Sequence, residues 1–207
     1  MKSSIFIPVN IMAAAIVLAG CTGQTPTVTM QSAFCKYSVS FPVDWVTEPE
    51  QVISGTGIYH LQAGLSAGSA SGNKQAISVD AACPLDLVQL FTLCEFVSKD
   101  LGVSLPEGDM AACYVGHVAS TLLNEFPGAS LVGGIDSINV NGMHGASAVV
   151  HQTSGGENDP QYDIITAIEH PDQSLGYVVL RGTVAEADWS KYHGVVDDII
   201  KSITFNQ

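Results

Sequence analysis

Positive charge is what this chain has least of: 7 Lys and Arg stand against 20 Asp and Glu, a net charge of −13 at pH 7. That sign repels phosphate backbones and anionic headgroups, which sets aside nucleic acid as a partner and charge-driven docking of the folded part on anionic lipid. The acid is spread along the chain rather than gathered in runs, as in a solvated globular surface. Also lacking is an apolar run fit to cross a membrane. The stretch Ile5 to Gly20 is interrupted by Pro8 and Asn10 and is shorter than the roughly 20 residues a span needs. There is no C-x-x-C and no Cys/His spacing of a zinc site. The histidines His60, His117, His144, His151, His170 and His193 form no H-x-x-x-H or H-E-x-x-H arrangement, which removes the helical zinc-hydrolase pattern. No internal repeat appears, so a solenoid is excluded.

What is present begins at the N-terminus. Lys2 precedes the apolar run, and Leu18-Ala19-Gly20-Cys21 closes it, the order of parts in an export signal. The ending resembles the lipobox of prokaryotic lipoproteins, which implies that Cys21 carries a diacylglycerol and becomes the mature N-terminus. Two acyl chains hold a protein on a membrane where one would leak off. Thr22 in place of Asp leans towards the outer membrane if the host is Gram-negative. The expected organisation is a signal peptide over 1–20, a lipidated Cys and flexible tether over 21–32, and one domain over 33–207. A ten-residue tether would span about 20 Å. Loss of 1–20 removes Lys2 and leaves 207 − 20 = 187 residues, with a charge of 6 − 20 = −14.

Cys35, Cys83, Cys94 and Cys113 remain, and an exported chain can keep disulfides. A bridge between Cys94 and Cys113 is feasible if they lie on two antiparallel helices that turn near Gly102. The alternative is four buried thiols behaving as small apolar side chains.

Along the domain, Cys35, Tyr37, Val39, Phe41, Val43 and Trp45 share one face of an alternating stretch, which predicts a half-buried strand whose end Pro42 makes an edge or a bend. Ile58 to Ala63 and Ala76 to Ala81 read as strands flanking a small-residue tip, Gly64 to Asn73. Leu85 to Leu101 and Glu107 to Phe126 read as helices, each following a proline. Leu131 to Val140 and Met143 to Gln152 read as a hairpin about Asn141-Gly142. Tyr162 to His170 and Leu175 to Val184 are the last strands, after an acidic loop over Thr153 to Gln161. Trp189, Tyr192, Val196, Ile199 and Ile203 are spaced as the core face of a closing helix. The order predicts an α+β fold, an antiparallel sheet covered by helices.

Tyr37-Ser-Val-Ser-Phe-Pro-Val-Asp-Trp45 is similar to the "Y-x-F-x-x-P-x-x-W" opening of PsbP-like and DcrB-like domains. Val140-Asn-Gly-Met143 resembles their strand pair, and Trp189 to Phe205 their closing helix with its "I-x-x-S-I-x-F" ending. The resemblance covers most of 33–207. It implies an α/β/α sandwich around a central antiparallel sheet, used for binding or assembly rather than catalysis.

Three candidate sites stand out. Gly64-Leu65-Ser66-Ala67-Gly68 matches G-x-S-x-G, but a hydrolase needs a helix directly after the serine, and here a flexible run leads to a strand. His144 and His170, at the outer ends of paired strands, are the metal candidates; Glu169 is adjacent to His170 and would point to the opposite sheet face, and ordinary sheet histidines are the alternative. Glu157 and Asp159 would attract calcium only weakly, because dense oxygen ligands are missing. The expectation is an envelope lipoprotein held on the membrane through Cys21, on the outer face of the cell membrane or in the outer membrane or periplasm. It would act as a non-enzymatic interaction module with a protein partner and no cofactor. A small-ligand or metal-binding lipoprotein comes second, a hydrolase last.

Overall fold

The alternation around Tyr37 makes a strand, but that strand is not the first. In the computed structural model, which describes residues 25–53, 58–66, 75–85, 94, 97–99, 101–103, 105, 106, 108–153 and 160–206, β1 (Thr27–Gln31) pairs antiparallel with β2 (Tyr37–Pro42). The expected tether therefore ends earlier: 27–31 belong to the domain. Cys35, Tyr37, Val39, Phe41 and Trp45 are buried as the alternation requires. Val43 is not; it is 53% exposed, because β2 ends at Pro42 and the Val43 N–H turns to donate to the Pro26 carbonyl at 2.9 Å.

A seven-stranded sheet forms the centre. Its strands are β3 (Val46–Ile53), β4 (Ile58–Ser66), β5 (Gln75–Leu85), β6 (Ser130–Val140), β7 (Met143–Gln152), β8 (Gln161–Glu169) and β9 (Tyr177–Ala185). They run in the order β3-β4-β5-β9-β8-β7-β6, and every neighbouring pair is antiparallel. The two-residue β10 (Thr204–Phe205) joins β2 to complete a second, small sheet in the order β1-β2-β10. β5 continues through Pro84 to Leu85, where the sequence had suggested a helix start. Cys94 and residues 97–99 and 101 are helical; the rest of that expected helix lies outside the described residues.

Each face of the large sheet has its own cover. Helix α1 (Met110–Glu125) lies over β6, β7 and β8, packing Ala111, Val115, Ala119 and Leu122 onto Ala146, Ala148, Val150, Ile165 and Ala167. Alanines on both surfaces bring helix and sheet close. On the other face, helix α2 (Trp189–Lys201) and the small sheet place Val196, Ile199, Ile203, Tyr37, Val39 and Phe41 against Leu61, Val79, Ile164, Ile168, Leu180 and Val184. Burying each large aliphatic or aromatic side chain contributes about 1.5–3 kcal/mol. The domain is thus mixed α+β, a layered sandwich around an antiparallel sheet. No described helix is long and apolar enough to cross a membrane.

Caps and turns fix the ends. Asp109 caps α1, its Oδ1 accepting from the Ala112 N–H at 2.9 Å, so the helix starts at Met110 rather than Glu107. Asn141 and Gly142 take φ of 52° and 87°, the left-handed pair that a tight hairpin needs. The Asn141 amide then donates to the Ile203 carbonyl at 2.5 Å, tying this hairpin to the end of α2. The last strand starts at Tyr177 rather than Leu175, because Gln173–Leu175 winds into a 3-10 turn after Asp172. Among the described residues there are two disulfides: Cys35–Cys83 links the small sheet to the large one, with Cα atoms 6.2 Å apart, and Cys94–Cys113 links the helical residue Cys94 to α1, with Cα atoms 5.1 Å apart.

Candidate functional site

The registers define two ends of the molecule. Met143, Glu169, Tyr177, the start of α1 and the end of α2 lie at the far end. Pro26, Val43, Val46, Gln152, Gln161, Ala185 and Trp189 lie at the near end. A cavity of about 330 Å³ opens at the far end, lined by Met143, Glu169, His170, Pro171, Gln173, Gly176 and Tyr177. It exists because β8 and β9 are joined by a turn rather than a tight hairpin, with Gly176 at φ 64°.

Its charged group is Glu169. Glu169 faces Tyr177 across the β8–β9 ladder, and the Tyr177 hydroxyl donates to its carboxylate. Burial first, then the fields of Glu169 and Asp109 and the bond to Glu169, push the Tyr177 phenol up to about 12. The cavity lining therefore includes a phenol bonded to a neighbouring carboxyl group. Asp172, on the exposed turn, is kept below the usual carboxylate range by the Ser174 hydroxyl and N–H.

His144 and His170 do not come together. Gly145 pairs with Ile168, so His144 stands opposite Glu169 on the α1 face, and His170, one step on, points to the other face. His170 is 4% exposed. Its Nδ1 accepts the Asp172 N–H at 2.9 Å, and its Nε2–H donates to the Cys35 carbonyl at 2.9 Å, which leaves no lone pair for a metal. His144 Nε2 meets Asp109 Oδ2 at 3.0 Å. Among the described residues no group of three or more His, Cys, Asp or Glu side chains is placed to hold a metal ion. Ser66 ends β4 and pairs with Gln75 of the antiparallel neighbour β5. The motif's serine is thus the last residue of a strand whose antiparallel neighbour begins at Gln75. Gly64 and Leu65 lie in β4 with Ser66, whereas Cys21, Ala67, Gly68, Glu157 and Asp159 lie outside the described residues.

One polar centre escaped the sequence reading. Asp163 is fully buried in β8. Its Oδ1 accepts from Arg181 Nε at 3.0 Å and Thr183 Oγ1 at 2.9 Å, and its Oδ2 accepts from the Gln152 and Gln161 amides. A signal existed: Asp163 falls on the same alternation as Ile165 and Ala167, so a carboxylate stands at a core position, and Arg181 is the only arginine in the chain. Every lone pair that matters is used, which makes this centre an internal brace.

No protein-family model and no curated protein matches the chain. Solved structures do. The cyanobacterial PsbP (CyanoP) of Synechocystis superposes with a TM-score of 0.52 at 11% identity, over 91% of this chain and 98% of that one. LpqN of Mycobacterium tuberculosis, involved in cell envelope biogenesis, gives 0.51 at 13% identity over 83% of each chain. The Ran-binding protein Mog1p of Saccharomyces cerevisiae gives 0.53 at 10% identity, over 88% of this chain and 96% of that one. At such identities the likeness is one of fold, and the fold of this domain is PsbP-like.

Proposed function

We propose that the chain is an exported lipoprotein whose PsbP-like domain, held on the membrane by a diacylglycerol on Cys21, is an accessory binding module of the cell envelope rather than an enzyme. The observation that carries this reading is the cysteine pairing. Cys35–Cys83 and Cys94–Cys113 use four of the five cysteines, as suits an oxidising compartment. The fifth is Cys21, at the end of the apolar run. The shared fold with LpqN supports an envelope role, and that with Mog1p supports binding. At the far-end cavity the Tyr177 hydroxyl is bonded to Glu169, and the His170 ring to the Cys35 carbonyl and the Asp172 N–H. Crosslinking in intact cells tests the reading: one defined envelope protein should be recovered with the wild type and lost with Cys21→Ser. Recovery of no partner at native expression would contradict it.

A second reading has its own observation, the cavity of about 330 Å³, which has room for a small molecule. Dialysed protein should then melt higher with one metabolite or metal, and Glu169→Gln should abolish the shift.

A further inference from the structure

We propose that the near end of the domain, carrying Pro26, Val43, Val46 and Trp189, is the surface that rests on the bilayer, and that the far-end cavity opens away from it. The inference builds on anchoring through Cys21. Because β1 starts at Thr27, only residues 22–26 separate the anchored residue from the sheet, and the six backbone steps from Cys21 to Thr27 reach at most about 22 Å. Thr27 pairs with Pro42 at the near end. β8, nine residues long, separates the two ends by about 27 Å. The leash is shorter than the sheet, so the far end cannot be the end that meets the membrane.

The side chains at the near end fit that position. Val43 is 53% and Val46 70% exposed. They flank Asp44 and the buried Trp45. Trp189 is half-buried and stacks on Tyr162 with ring centres 4.2 Å apart; Tyr162 stacks on His151 at 4.4 Å, and Trp189 on the exposed His193 at 5.2 Å. Indole and phenol rings favour the headgroup layer, where one edge is apolar and the other wet. Phe34 and Val52 are exposed too, but they lie at the far end, beyond the leash.

Charge narrows the lipid chemistry. Asp44, Glu186 and Asp188 are at or beside this end, against Lys191. The Lys191 ammonium lies over the Tyr192 ring, 4.5 Å from its centre. The balance is negative, so the surface fits zwitterionic headgroups and gains nothing from anionic lipid.

The test uses the full lipidated chain on phosphatidylcholine vesicles doped with a headgroup-nitroxide phosphatidylcholine. Trp45→Phe leaves Trp189 as the reporter at the near end. Trp45→Phe/Trp189→Phe/Gln173→Trp moves the reporter to the cavity rim. The nitroxide should quench Trp189 roughly threefold or more, as for an indole in the headgroup layer, and leave the residue-173 reporter almost unchanged. Equal quenching, or stronger quenching at 173, overturns the orientation while the anchor stands. Failure of the wild type to float with the vesicles removes the anchor and the orientation together. Neutron reflectometry of the wild-type chain on a supported bilayer guards against a variant that misfolds: a layer standing about one strand length above the headgroups is expected, and a layer lying flat contradicts the proposal.

Discussion

His170 Nε2–H donates to the carbonyl oxygen of Cys35 at 2.9 Å, across 135 residues of sequence. The bond joins the far end of the large sheet to the small sheet, beside the Cys35–Cys83 bridge, and the imidazole also meets Phe205 edge-on at 4.9 Å. Replacing His170 by Ala leaves the Cys35 carbonyl and the Asp172 N–H without partners. The expected loss is about 2 kcal/mol, read as a lower urea midpoint. An unchanged midpoint would mean that this bond adds nothing net to the packing and the disulfide that hold the two sheets together.

The disulfides should stabilise unequally. Cys35–Cys83 closes a separation of 48 residues and Cys94–Cys113 one of 19. Loop entropy then assigns about 4 kcal/mol to the first and about 3 kcal/mol to the second. Denaturation of Cys35→Ser/Cys83→Ser and Cys94→Ser/Cys113→Ser should rank them in that order. The first pair of substitutions also detaches the small sheet from the large one, so its loss should be accompanied by faster exchange of the β2 amides.

Asp109 has two partners that substitution can separate. Asp109→Ala loses the cap on the Ala112 N–H and should cost about 1 kcal/mol. Asp109→Asn keeps a capping oxygen and gives up only the charge facing His144, so most of the stability should return. Similar losses in both variants would show that the charge, not the cap, matters.

Alkali should reveal Tyr177. Its phenol is raised from 10.0 to about 12, so the folded state holds its proton more tightly than the unfolded one. That contribution is complete below pH 10 and is lost as pH rises towards 12. Tyr37, buried and donating to the Ala81 carbonyl at 3.0 Å, acts in the same direction, chiefly through desolvation. Tyrosinate absorbance should lag behind that of a free phenol, and Tyr177→Phe should move the alkaline unfolding midpoint upwards.

The parts of the fold visible in the sequence are those written in local periodicity. The alternation about Tyr37, the Asn141-Gly142 turn and the stripe from Trp189 to Ile203 each reappear as a strand, a hairpin and a helix face. β1 was hidden because its Thr/Gln-rich stretch has no strong strand signal of its own; pairing with β2 makes it a strand. The Cys35–Cys83 bridge depends on one sheet lying over another, and Arg181 reaches Asp163 only through the β8–β9 register. The cavity is made by the ends of strands distant in sequence and by Gly176, so no contiguous motif records it. Val43 shows the converse: a continuing alternation overrode the stop that Pro42 already signalled.

Export and lipidation at Cys21 are read out by mass spectrometry of the N-terminal peptide of the native protein. The expected peptide begins at Cys21 and carries the added mass of a diacylglycerol. A peptide that begins at Met1, or one that begins at Cys21 with an unmodified thiol, would contradict lipidation at Cys21.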